Sequence, residues 1–163
     1  METAFGKRLD RVRQASPLVH CISNLVTAND CANVVLAAGA SPIMADAPEE
    51  VREITALSRA LCLSLGTPNP RKADAMFLAG RKAAELGLPV VFDPVGVGAS
   101  AYRQEIARKL LQDIPLTVLR CNASELQTLS GQSLVSRGVD AGKAPELETL
   151  LLLAGRFAAA HHC

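Results

Sequence analysis

The chain has no tryptophan, one tyrosine and four phenylalanines, so aromatics make up only 3% of its 163 residues. Few residues are therefore available for the stacking platforms on which single-stranded nucleic-acid binders rely. Neither sign of charge is in excess. Seventeen basic against 16 acidic side chains give a net charge of +1, and no basic surface for a phosphate backbone follows. Long apolar runs are also missing: the richest, 150–155, falls far short of the ~20 residues a membrane helix needs. The charged start, 1–14, does not read as a secretory signal.

Cysteine is sparse and scattered. Cys21, Cys31, Cys62, Cys121 and Cys163 are odd in number and form no C-x-x-C pair, which argues against a disulfide framework and a structural zinc site. A reducing cytoplasm is the corresponding expectation. His161, His162 and Cys163 end the sequence as a lone cluster that is set aside as a metal site. There is no Walker A sequence and no G-x-S-x-G elbow, which argues against a P-loop NTPase and a serine hydrolase.

What is present is a globular composition, 49% apolar and 20% charged, read as one domain over 1–163. Short apolar runs alternate with segments of helical period. Strands are predicted over 17–22, 41–44, 61–65, 89–93 and 116–121. Helices are predicted over 3–14, 24–38, 48–58, 70–86, 100–112, 122–129 and 145–160. Gly131 to Gly142 is the one polar link. Successive β–α units imply an α/β fold, a parallel sheet with helices on both faces. The last helix should lead into a further strand, so the pattern reads as a sheet lacking its C-terminal strands.

In such sheets ligands sit outside the carboxyl ends of the strands. The predicted strands exit into Ser23-Asn24, Met44-Ala45-Asp46, Gly66-Thr67-Pro68, Asp93-Pro94-Val95-Gly96 and Arg120-Cys121-Asn122, with Glu125 three residues on. One edge thus collects amides, carboxylates, a hydroxyl and an arginine. Each has a plainer reading. Asn122 to Glu125 and Asp46 to Glu49 both fit capping boxes, and the Gly66 and Asp93 segments fit turns. Cys21 and Cys121 fit small buried hydrophobes. Asp93 resists the plain reading, because it closes the buried run Val90-Val91-Phe92, where an unpaired carboxylate is costly. Gly96 to Ala101 matches G-x-G-x-x-A, but Asp93-Pro94-Val95 separates it from the strand, which weighs against a dinucleotide turn. Carboxylates for a cation, an arginine for phosphate and helix N-termini for anions together suit phosphoryl transfer.

Five segments carry a resemblance. They are PLVHCISNLV from Pro17, GASPIMADAPEE from Gly39, LGT from Leu65, DPVGVGAS from Asp93 and RCNASE from Arg120. In this order and spacing the sequence resembles the hydroxyethylthiazole kinases, thiamine-salvage members of the ribokinase-like superfamily, over essentially all of the chain to about Ala141. The resemblance implies transfer of the γ-phosphoryl of ATP, with Mg2+, to the hydroxyl of 4-methyl-5-(2-hydroxyethyl)thiazole. It implies Met44 and Asn24 at the thiazole, Arg120 and Asn122 at ATP, and Asp93 and Glu125 at the metal, directly or through water. It also implies a homotrimer with sites between subunits. The family's glycine-rich anion loop, with the base for the substrate hydroxyl, has no counterpart before Cys163. The chain is therefore expected to be inactive as a kinase on its own. The alternative is a thiazole-binding or assembly module without catalysis.

Overall fold

Thr3 starts the first element: its Oγ1 accepts the Gly6 amide at 3.1 Å and caps α1 (Ala4–Ala15). The computed structural model describes residues 3–131 and 147–163. Five strands follow, β1 (Leu18–Ile22), β2 (Ser41–Met44), β3 (Ala60–Ser64), β4 (Val90–Asp93) and β5 (Val118–Leu119), each within its predicted run or one residue from it. Between and after them lie α2 (Ala28–Ala37), α3 (Val51–Leu57), α4 (Pro70–Glu85), α5 (Ala101–Asp113), α6 (Ala123–Leu129) and α7 (Leu147–His161). All strand pairs are parallel and the sheet order is β2-β1-β3-β4-β5. The expected α/β class is the one observed.

The period-2 alternation sorts the strands' side chains. Ile22, Leu61, Leu63, Val90 and Phe92 are fully buried on one face, packed with Val51, Met76, Ala79, Ile106 and Leu110 from α3, α4 and α5. Burying each large side chain contributes about 1.5–3 kcal/mol. Helix α4 packs closely because its inward stripe is small: Ala73, Ala75, Ala79, Gly80 and Ala83 are all buried. On the opposite face α2 brings Cys31 near Cys21. Cys21 is buried as expected, whereas Cys121 is only half-buried.

Three predicted segments are shorter than expected, each for a local reason. Residues 24–27 form a turn rather than the start of α2, because Asn24 Oδ1 accepts the Thr27 amide at 2.9 Å and competes with helix formation. The capping box over Asp46 to Glu49 does not form. The Ala47 carbonyl takes the amides of both Glu50 and Val51, α3 begins at Val51 without a side-chain cap, and Asp46 is left exposed. The predicted strand 116–121 contracts to Val118–Leu119, extended by the Thr117 amide to the Val90 carbonyl and the Arg120 amide to the Phe92 carbonyl. Most of the polar link after Gly131, and the first two residues of the predicted last helix, lie outside the described residues.

Candidate active site at the carboxyl edge of the sheet

With every strand parallel, all five exits lie along one edge. The sheet order reverses at β1, which has β2 on one side and β3 on the other, so the crevice opens between the exits of β1 and β3. There the chain comes very close to itself. A Cβ on Gly66 would fall 2.8 Å from Asn24 Nδ2 and 2.9 Å from its Cγ, so only glycine fits against Asn24. Thr67 follows with φ +47°, an uncommon conformation for a β-branched residue, and its Oγ1 accepts the Leu25 amide at 3.2 Å. Lys72, only 4% exposed, fastens the two exits: its Nζ donates to the Ser23 and Gly66 carbonyls, both at 2.7 Å. Burial loosens that ammonium's hold on its proton, opposed by Asp46 and reinforced by Arg103.

The β2 exit is held by a buried histidine. His20 Nε2 lies 2.8 Å from the Ala45 carbonyl, which can only accept, so Nε2 carries a proton. Its Nδ1 faces Thr55 Oγ1 at 2.9 Å. Burial lowers the His20 pKa from its usual value, against the opposing pull of the Ala45 bond and of Glu50. This bond fixes the residue next to Met44, whose thioether side chain ends β2 and is 40% exposed.

The opposite end of the edge is charged. Asp93 Oδ2 pairs with Arg120 at 3.3 Å, while its Oδ1 is buried and has no hydrogen-bond partner. Burial raises the Asp93 pKa, partly offset by Arg120 and reinforced by Glu125. Glu125 is buried and uses both oxygens on backbone: Oε1 accepts the Gly96 amide and Oε2 the Asn122 amide, each at 2.9 Å. Asn122 Oδ1 accepts the Glu125 amide in return, completing the capping box expected from the sequence. The Gly96 amide, which a dinucleotide turn would offer to a pyrophosphate, is thus already taken. Asp93, Arg120, Asn122 and Glu125 form one cluster, whereas Asn24 and Met44 belong to the switch-point end of the edge.

An apolar groove of about 330 Å³ between β5 and α7, lined by Val118, Leu119, Leu126, Phe157 and Ala158 among others, contains none of these six residues. Among the described residues no group of three or more His, Cys, Asp or Glu side chains could hold a metal ion by itself. Magnesium is commonly bound by only one or two carboxylates together with substrate phosphates. Asp93 Oδ1, a buried carboxylate oxygen without a donor, is the atom that fits such a cation.

The sequence profile of the hydroxyethylthiazole kinase family matches residues 9–162. The chain belongs to this family. It is 52% identical over 139 residues to a protein of Desulfovibrio desulfuricans named hydroxyethylthiazole kinase, covering 85% of this chain and 49% of that protein. A Clostridium beijerinckii protein of the same name is 50% identical over 139 residues, covering 85% of this chain and 50% of its own length. The structure of a hydroxyethylthiazole kinase protein from Pyrococcus horikoshii superposes with a TM-score of 0.74 at 41% identity, covering 77% of this chain and 49% of that one. The chain therefore spans about half the length of the relatives it matches.

Two residues of this family member escape sequence reasoning: Lys72 and Arg103. Arg103 NH1 donates to the Leu65 carbonyl at 2.9 Å and to the Val95 carbonyl at 2.7 Å. Both residues, like Glu125, stand three places after a helix-capping side chain, Asn69, Ser100 and Asn122 respectively, which accepts their own amide. The helix dipole favours an acid at that position. A base there is the one available signal, since it breaks a local rule at the functional edge.

Proposed function

We propose that this chain provides the thiazole-facing and magnesium–phosphate portion of an ATP-dependent kinase acting on the hydroxyl of 4-methyl-5-(2-hydroxyethyl)thiazole in thiamine salvage. The observation that carries the reading is the Asp93 carboxylate, with Oδ1 buried and unbonded and Oδ2 on Arg120. An acceptor oxygen left bare in a protein interior is costly unless a cation takes it up. Family membership supplies the chemistry.

In this reading Met44 and Asn24 contact the thiazole, a polarizable thioether suiting a sulfur heterocycle. Arg120, whose side chain is 72% exposed, reaches the ATP phosphates, and Asn122 Nδ2 donates beside it. Asp93 binds Mg2+ directly. Glu125, already engaged by two amides, acts on the metal through water with its remaining lone pairs. When bound, the metal neutralises phosphate charge during transfer. The exposed apolar side chains Leu25, Val26, Val34 and Leu36, on and just before α2, support a subunit contact of the homotrimer beside the thiazole end. A cytoplasmic location accords with free cysteines at all five positions.

The second reading, thiazole binding or assembly without phosphotransfer, is favoured by Glu125 having both carboxylate oxygens already engaged by backbone amides. Thermal-shift titrations separate the two. Stabilisation by the thiazole alcohol and by ATP–Mg2+, with only the latter lost in Asp93→Asn, supports the kinase portion. Stabilisation by the thiazole alcohol alone supports the second reading. A chain indifferent to both ligands refutes both.

A further inference from the structure

Arg103 lies outside the cluster that faces the ligands, yet it touches the backbone on either side of that cluster's key residue. Its guanidinium reaches from α5 to the carbonyl of Leu65, just past β3, and to that of Val95, just past β4. The Leu65 amide in turn donates to the Asp93 carbonyl at 2.9 Å. Asp93 is therefore flanked by two peptide groups that one side chain ties together. One residue beyond Val95, Gly96 turns with φ +64° and aims its amide at Glu125 Oε1. The Glu125 carboxylate then closes on the Asn122 amide at the β5 exit. The links run from the β3 exit to the β5 exit through Arg103, the 95–96 peptide and Glu125.

Helical preference does not explain an arginine here. The position favours an acid, no carboxylate pairs with Arg103 among the described ion pairs, and the side chain is half-buried. The two carbonyls explain it, because NH1 alone carries two N–H groups and donates one to each.

From this geometry we infer that Arg103 is a positioning residue that fixes the 94–96 loop against β3 and so sets the Glu125 carboxylate relative to Asp93. The inference rests on the reading of Asp93 and Glu125 as the cation site, and the test keeps the two separable.

The experiment uses the 163-residue chain, Arg103→Met and Arg103→Lys, with two readouts. Amide exchange followed by NMR reports the Gly96 amide, with the Leu25 amide at the switch point as control. Electron paramagnetic resonance titration with Mn2+ and ADP reports the cation site. Arg103→Met should speed Gly96 exchange by about tenfold or more, the equivalent of one hydrogen bond to a charged group, and leave Leu25 within about twofold. Arg103→Lys should recover part of the protection, since an ammonium can also donate to two carbonyls. Mn2+–ADP affinity should fall in parallel with Gly96 protection, while affinity for the thiazole alcohol holds. Unchanged Gly96 exchange in Arg103→Met overturns the inference. So does a rise in Gly96 and Leu25 exchange together, which marks general loosening, or an Arg103→Lys variant no better than Met. Should the unaltered chain bind no Mn2+–ADP, the cation reading fails, and selective Gly96 exchange still upholds the positioning role.

Discussion

Exchanging each of the two acidic side chains for its amide should have opposite consequences for stability. Glu125→Gln is ordinarily a mild, isosteric change. Here both carboxylate oxygens accept backbone amides at 2.9 Å, so the new NH2 must face either the Gly96 or the Asn122 N–H. Flipping the amide moves the clash without removing it. The loss is one hydrogen bond to a charged group, about 1.5–3 kcal/mol, plus an amide left without an acceptor in a buried setting, for a total of roughly 2–4 kcal/mol. Asp93→Asn meets the reverse situation. Its Oδ1 has no donor to lose and burial already disfavours the charge, while the retained oxygen can turn to Arg120. That variant should lie within about 1 kcal/mol of the parent, or above it. Urea unfolding at pH 7 measures both. With slopes of about 1–3 kcal/mol per molar, Glu125→Gln should lower the midpoint by on the order of 1–2 M and Asp93→Asn should barely move it. Equal midpoints for Glu125→Gln and the parent, or a greater loss in Asp93→Asn, would refute the division of labour between these carboxylates.

Other consequences can be measured on the same chain. Because burial lowers the His20 pKa, the folded state binds fewer protons than the unfolded one below about pH 6.5, so stability should fall as pH drops from there, by at most about 1.4 kcal/mol per pH unit from this group. NMR titration of the His20 ring checks the sign, and protonation at or above the usual value would contradict it. Lys72→Met leaves the Ser23 and Gly66 carbonyls without their donor and should cost about 2–5 kcal/mol, read by chemical unfolding. Gly66→Ala should weaken thiazole-alcohol binding in calorimetry, since the added methyl displaces Asn24, and affinity equal to the parent would place the pocket elsewhere. Gly80→Ala should destabilise by about 1–3 kcal/mol despite its better helix propensity, because the new methyl lies 2.9 Å from Ile114 Cγ1 and presses on its Cδ1.

Much of this architecture is legible in the residues because period and punctuation agree. Val90-Val91-Phe92 reads as a buried strand and forms one, with Val90 and Phe92 fully buried and Val91 half-buried, and Asn69-Pro70 opens α4 as cap and first residue. The Asn122–Glu125 box forms as its spacing demands. Failures occur where a short-range bond outcompetes the pattern. Asn24 turns the chain before α2 can start, and the Ala47 carbonyl supplants Asp46 as a cap. Within the site, the exits could be enumerated from the sequence and the electrostatic grouping of Asp93, Arg120 and Glu125 anticipated. Glu125 illustrates the limit, since spacing reveals its bond to Asn122 but not the one to Gly96, 29 residues away. Lys72 and Arg103 look like ordinary solvated bases in the first turn of a helix. Only strand order brings Ser23 within reach of Lys72, 49 residues later.

Lys72, Arg103 and Glu125 all grip main-chain atoms: four carbonyls and two amides. Every amino acid carries the same carbonyl, and every one but proline the same N–H. Side chains at Ser23 and Val95, both only half-buried, can therefore drift without undoing the framework that presents them, while Leu65 stays bound by core packing and Gly66 and Gly96 by shape and backbone conformation. A rim fastened in this way separates holding from recognising, so under the proposed function substrate preference could be retuned by changing exit residues one at a time on a scaffold that keeps its form.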